Sequence, residues 1–447
     1  MSTTVQLPSG PPGHFLLGHV PEFRADPMGL LTRCAREYGD FVPLRFGPMR
    51  MILLSNPEYL EYVLVAHPRD FIKSLSFRAM RPFGGNGIFL SEGDFWLRQR
   101  RLVQPAFHRE RIAAYGDVMA GYAEEMVATW QSGETHGIQP EIGGLAMRIV
   151  AKTLLDVDVR GEAAELRVTL AAAFAALNAR VSSIWLLLPE SLPIPSNRRM
   201  RAAIQRLDEI VYRMIAERRA SGGDRGDMLS ILLRAQDEDD GTIMSDLQVR
   251  DEAMTLFVAG HETTATTLTW AWYFLSQYPE IDAELAAEVQ AVLGGRTPTA
   301  ADVPNLRFTK MVIDETLRLY PAVPALGREP VKDCEIGGYP IAKGTQLMMG
   351  MWTLHRDARF FDEPDEFRPH RWADGLAERL PRFAYLPFGG GPRQCIGSSF
   401  ALMEAILVLA TIAQRFRLTL APGEVVETWV APTVRPKGDL RMVVEHR

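Results

Sequence analysis

From about Pro57 to Tyr320, apolar positions recur at the 3.6-residue spacing of helices, in stretches rich in Ala, Leu, Glu and Arg. On either side the period changes. DFVPLRFGPMRMILLSN reads as two strands around Gly47-Pro48, and DCEIGGYPIAKGTQLMMGMW as a strand-rich patch whose Gly337-Gly338 suits a hairpin turn. LTRCAREYG, before the first strand pair, reads as a short helix. The predicted fold class is mainly α with a small β portion. With no Ser/Gly-rich or Pro-rich linker in the chain, the expectation is one large helical domain over residues 1–447, with residues 1–20 a Pro/Gly-rich leading segment.

Two helices carry polar residues where the pattern would place apolar ones. The longest candidate runs from Ser245 to about Tyr278, opened by Ser245 and Gln248 in capping-box spacing and closed by Pro279, and would be about 50 Å long. Its centre, AGHETTATT, sets a glycine, a histidine, a glutamate and four threonines among residues that form helix better. Such a midpoint can open a groove or bind a ligand. Equally, the threonines can bond back to carbonyls one turn earlier while Glu262 finds a buried partner. In the second helix, FTKMVIDETLRLYP, Phe308, Met311, Val312 and Leu319 form the apolar stripe, and Glu315 falls on it. A buried carboxylate needs a partner, and Arg318 lies one turn away; an exposed ion pair is the other reading of Glu-x-x-Arg.

Composition narrows the function. The 447 residues are 47% hydrophobic and 23% charged, as in an ordinary globular protein with a large core. A formal net charge of -6 supplies no global basic field, so nucleic acid is not expected as a partner. Cys34, Cys334 and Cys395 have no close spacing, which argues against a disulfide framework or a Cys-rich zinc site and for a reducing cytoplasm. The N-terminal sequence lacks the pattern of a secretory signal, and apolar runs such as IWLLL fall far short of the roughly 20 residues that span a bilayer, so no membrane anchor is expected.

The most unusual stretch is FGGGPRQCIG, Phe388–Gly397, with four glycines around one thiol. That much glycine implies positive φ or close backbone approach. A buried free cysteine packed as a small hydrophobe is the ordinary alternative.

WLRQR (Trp96–Arg100), AGHETT (Ala259–Thr264), ETLR (Glu315–Arg318), FRPHRW (Phe367–Trp372) and FGGGPRQCIG occur in the order of the cytochrome P450 superfamily of heme-thiolate monooxygenases, which the chain closely resembles. The resemblance implies the P450 fold, heme b as cofactor and Cys395 as the iron ligand, a thiolate that favours O–O cleavage. Phe388, Gly389, Gly390 and Gly391 would form the turn beneath the porphyrin, and Gly397 would leave room beside it. The helix read in SSFALMEAILVLATIAQRF would point its N-terminus at the sulfur and temper it. Trp96, Arg100 and Arg393 match the family's propionate ligands. Arg328 stands where many members place another, with a surface role as the alternative. Glu315, Arg318 and Arg371 match a structural triad. Glu262 and Thr263 match the acid–alcohol pair that delivers two protons to the outer atom of dioxygen, with Gly260 relieving crowding where oxygen binds.

The stretch GGNGIFLSEGDFWLRQRRLVQPAFH is similar to the long-chain fatty-acid hydroxylases of the superfamily, which implies Phe89 over the heme. Phe257, Ala259, Ala322 and Val323 are further lining candidates, each equally readable as ordinary core. The implied substrate is lipophilic: a fatty acid, terpenoid or steroid. The chain ends about fifty residues past Cys395 with no flavin or nicotinamide segment, so electrons are expected from a separate ferredoxin or flavodoxin; Arg98, Arg101 and Arg109 could form its basic patch, or be merely solvated. A monomer is expected. The competing readings are a heme-thiolate isomerase, dehydratase or ligand-binding protein, against which Glu262 and Thr263 argue, and a helical scaffold without heme.

Overall fold

The computed structural model describes residues 7–156, 194–222, 227–236, 241–430 and 433–447, with isolated positions between 157 and 193. IWLLL lies outside the described residues. The chain forms two compact units, each assembled from two stretches: Met1–Arg78 with Leu317–Cys395, and Ala79–Thr316 with Ile396–Arg447. Among the described residues the strands are β1 (Phe41–Phe46), β2 (Met49–Leu54), β3 (Phe71–Lys73), β4 (Thr135–Gly137), β5 (Ala325–Pro330), β6 (Cys334–Ile336), β7 (Tyr339–Ile341), β8 (Gln346–Gly350), β9 (Phe416–Leu420), β10 (Thr428–Val430), β11 (Val434–Pro436) and β12 (Arg441–His446).

The first unit is built on a five-stranded sheet of order β1-β2-β8-β5-β3. The β1–β2 hairpin turns at Gly47, whose φ of 59° is the left-handed region where glycine costs nothing. β2 then pairs in parallel with β8, Met51 opposite Gln346. The expected turn at Gly337-Gly338 joins β6 to β7 with φ of 61° and 85°, the double positive φ of a type I′ hairpin. One departure from the strand pattern is Met351–Leu354, which ends the strand-rich patch as a helical turn. Phe41, Ile52, Leu54, Leu60, Leu347 and Leu386 belong to this unit's core. Each such side chain contributes about 1.5–3 kcal/mol by leaving water.

The second unit is organised around one helix, Asp246–Gln277, hereafter the central helix. Both halves of its predicted capping box form: the Ser245 hydroxyl accepts from the Gln248 N–H, and the Gln248 side chain accepts from the Ser245 N–H. Its main packing partner is the helix Ile138–Leu155, and Trp270 and Trp272 are fully buried. The expected midpoint weakness does not break it: the helix runs uninterrupted through AGHETTATT. A three-stranded sheet β4-β12-β9 and the β10–β11 hairpin complete the unit, along with the helix Ser398–Ala413, predicted after Cys395.

Candidate active site

Cys395 lies in a loop that the polypeptide itself immobilises. Its N–H donates to the Phe388 carbonyl at 2.9 Å, Gln394 N–H to Gly391 at 3.0 Å, and Gly389 N–H to Leu386 at 2.9 Å. Gly389 and Gly391 both have φ of 69°. A Cβ on Gly391 would stand 2.1 Å from the Leu64 carbonyl oxygen, and one on Gly390 would stand 2.1 Å from the Phe383 ring. Two of the three consecutive glycines therefore serve close approach within the first unit. Gly397 differs, because a Cβ there would meet only the Phe107 ring, at an ordinary 3.5 Å. Among the described residues no protein atom demands glycine at 397, which fits a residue kept small for a group that is not polypeptide.

The three thiols have different environments. Cys34 is fully buried, and burial pushes its pKa up to about 11; burial also raises that of half-buried Cys334. Cys395 is exposed, three residues before the 16-residue helix that follows it. An accessible thiol on a rigid glycine turn is the donor expected for heme iron.

The residues implied as propionate ligands are distributed over both units. Trp96 and Arg100 are half-buried, one turn apart on the helix Gly93–Val103 in the second unit. Arg393, half-buried, ends the short turn Gly391–Arg393, and Arg328 stands in β5, both in the first unit. The surface alternative for Arg328 is corrected: it is buried, and its guanidinium donates to the Gly327 carbonyl at 2.9 Å.

Glu315 and Arg318 are fully buried on the helix Arg307–Leu319, as the apolar stripe predicted. Arg318 donates to the carbonyls of His355 (2.8 Å), Pro364 (2.6 Å) and Glu366 (2.9 Å). Arg371 reaches Asp362 (2.7 Å) and shares the Glu366 carbonyl (3.4 Å). It is half-buried rather than enclosed like the other two. Sequence reasoning missed His355. Its Nε2 accepts from the Leu386 N–H at 3.1 Å, and burial with the nearby Arg318 and Arg356 charges pulls its pKa down to about 3, so it stays a neutral acceptor. A line of hydrogen bonds thus leads from Arg318 through His355 to Leu386, where the thiol loop begins.

On the central helix the hydroxyls bond back to the backbone: Thr263 to Ala259 at 2.8 Å, Thr264 to Gly260 at 3.2 Å, and Thr267 to Thr263 at 3.0 Å. His261 is buried, bonded to the Phe257 carbonyl at 3.0 Å, and burial lowers its pKa. Glu262, half-buried, instead accepts from the Thr433 hydroxyl at 2.8 Å. Thr433 is buried beside β11, and that hairpin is fastened to the same helix by Trp270 Nε1 donating to the Val434 carbonyl at 2.7 Å. No local motif around Thr433 announces this contact. A Cβ on Gly260 would stand 3.0 Å from Val150, so tight packing on the neighbouring helix restricts that position.

Phe89, half-buried, Phe257, buried, and Ala259, exposed, belong to the second unit; Ala322, buried, and Val323, packed against the sheet core, belong to the first. Cys395 and the Glu262–Thr263 pair likewise belong to different units.

A loop-held thiol and an acid–alcohol pair on a long helix are the parts of a heme-thiolate oxygenase. The family model described as Cytochrome P450 matches residues 8–439, and the chain belongs to that family. It is 40% identical over 446 residues to cyclooctatin synthase of Streptomyces melanosporofaciens, covering 98% of this chain and 95% of that one. Cyclooctat-9-en-7-ol 5-monooxygenase of the same organism is 38% identical over 94% of this chain and 91% of its own, and pentalenene oxygenase of Streptomyces avermitilis 34% over 96% and 94%. The protein is a P450 monooxygenase, an oxidoreductase that incorporates oxygen.

Proposed function

We propose that the protein binds heme b through Cys395 and hydroxylates or epoxidises a terpenoid, with electrons from a separate ferredoxin or flavodoxin. The terpenoid class rests on the relatives named for cyclooctat-9-en-7-ol and pentalenene. Fatty acids and steroids, the other lipophilic classes, have no counterpart among those three names. The whole chain is taken as one heme domain, since the family match runs through both units. We take it to act in the cytoplasm as a monomer. Among the described residues no helix is long and apolar enough to cross a membrane.

The observation that carries the oxygenase mechanism is the pairing of Glu262 with Thr433. Heme, when bound, supplies a redox-active iron whose thiolate ligand favours O–O cleavage. The polypeptide supplies position and protons. Thr433 fixes Glu262 Oε1, which leaves Oε2 to take up and release a proton. The Thr263 hydroxyl spends its hydrogen on the Ala259 carbonyl and keeps its lone pairs to hold a water. Trp96, Arg100, Arg393 and Arg328 would hold the propionates. Phe89, Phe257, Ala259, Ala322 and Val323 would exclude water and orient an apolar substrate.

The reduced protein with carbon monoxide should show a strongly red-shifted Soret band that Cys395→Ser lacks. Thr263→Ala should then divert reducing equivalents to peroxide; indifference would favour a reaction without oxygen insertion. Pentalenene should produce a spin-state shift on titration. A shift with dodecanoic acid and none with pentalenene would overturn the terpenoid assignment.

A further inference from the structure

The segment from Gly84 to Leu90, which carries Phe89, is fastened to the central helix by two consecutive acidic residues. The Asn86 N–H donates to Asp251 Oδ2 at 2.8 Å, and the Ile88 N–H to Glu252 Oε2 at 3.0 Å. One turn on, the Thr255 hydroxyl lies 3.4 Å from the Gly84 carbonyl. The strap's glycines make this closeness possible. A Cβ on Gly85, whose φ is 52°, would fall 2.1 Å from the Asp251 carboxylate, and one on Gly87 would fall 2.3 Å from the Thr255 hydroxyl and 2.6 Å from the Asp251 carbonyl. Backbone therefore lies on helix with no side chain between them.

The clamp also extends outward. Arg250 donates to Asp251 at 2.8 Å and, through Nε, to Asp208 at 2.6 Å on the helix Pro195–Ser221. Arg250, Asp251 and Glu252 are all buried. Three successive ionisable residues in an interior are costly, and in some proteins such groups fix one geometry rather than add stability. Here the geometry fixed is that of alternate amides in the strap, immediately before Phe89. Phe257 and Ala259 follow Glu252 on the same helix by about 8–11 Å of rise.

We infer that Asp251 and Glu252 are positioning residues that set where Phe89 stands and hence which substrate shapes are accepted, and that Arg250 transmits the placement of the helix Pro195–Ser221 to that strap. The inference rests on the proposed role of Phe89 in the pocket.

Two measurements on the holoprotein test it. In hydrogen exchange, Glu252→Ala should speed exchange across residues 84–90 at least ten-fold, Glu252→Gln, which keeps an acceptor for the Ile88 N–H, should remain near wild type, and Asp208→Asn should speed it several-fold. Asp208 is partly exposed, so that variant tests transmission without touching the strap. In ligand binding, imidazole and 4-phenylimidazole serve as a small and a bulky iron ligand. Their affinity ratio should change at least three-fold in Glu252→Ala and in Phe89→Ala and return in Glu252→Gln, while the affinity for imidazole alone stays put. Unchanged exchange in Glu252→Ala overturns the clamp, and unchanged exchange in Asp208→Asn overturns the transmission. A ratio that moves in Phe89→Ala and not in Glu252→Ala overturns the positioning role while leaving the pocket intact. A ratio unmoved by Phe89→Ala removes Phe89 from the pocket and the specificity role with it.

Discussion

A carboxylate on an open helix face samples several rotamers, and Glu262 is instead caught by a hydroxyl from a different element. Thr433→Val removes that donor at nearly constant volume. A hydrogen bond of about 1 kcal/mol corresponds to roughly five-fold in rate. The variant should therefore lose about that much product formed per electron consumed and change its pH profile, and Thr433→Ser should restore both. Coupling and pH profile equal to wild type would show that Glu262 is not held there. Gly391→Ala should be more severe. The left-handed backbone costs a side chain about 1–2 kcal/mol, and the Leu64 carbonyl occupies the space the new methyl needs. Loss of heme from the purified protein and a lower melting temperature would report it; full heme content would mean that the loop has slack. Sequence made the glycines legible as a group but not their separate reasons, because whether glycine answers φ, a neighbouring ring or the proposed cofactor depends on atoms brought from Leu64, Phe383 and Phe107.

Among the elements, those with local chemistry were legible. The central helix announced itself through Ser245 and Gln248, and the hairpins through glycine pairs or a glycine before proline. At the midpoint of that helix propensity left two readings open, and the structure takes the second: the hydroxyls return to carbonyls four residues back, and packing against the helix Ile138–Leu155 keeps the segment helical. Short strands such as β3 and β4 span three residues each, too few to show a period, and β4 finds its partner in β12 some three hundred residues away. Glu404, in the helix Ser398–Ala413, is another feature no pattern betrayed. It is fully buried, both its carboxyl oxygens lack a hydrogen-bond partner among the described residues, and burial raises its pKa well above the usual carboxyl range. Glu404→Met should stabilise by about 1–3 kcal/mol, seen as a later denaturant midpoint, since it relieves an unsatisfied polar group at similar volume. An earlier midpoint would mean that the carboxyl is satisfied in the holoprotein.

At the scale of the whole molecule, two buried groups pull stability in opposite directions with pH. Burial pushes Glu252 from 4.5 up to about 8, so the folded state keeps a proton that the unfolded chain releases, and stability falls as pH rises through that window. His355 is held at about 3 against 6.5, so the unfolded chain takes the extra proton, and stability falls as pH drops from 6.5 toward 3. Melting temperature should therefore peak between the two limbs, and Glu252→Gln should flatten the alkaline one; an unchanged alkaline limb would show that Glu252 is ionised in the folded protein. The parallel pairing of β2 with β8 bears on how the molecule is made. The β1–β2 hairpin leaves the ribosome early, and its sheet partner Gln346–Gly350 follows nearly three hundred residues later. At about 5–20 residues per second, the open edge of β2 waits some tens of seconds for its neighbour. Nascent chains should accordingly lean on ribosome-associated chaperones through most of translation, and heme supplied before the ribosome passes Cys395 would find its proposed thiolate ligand not yet made.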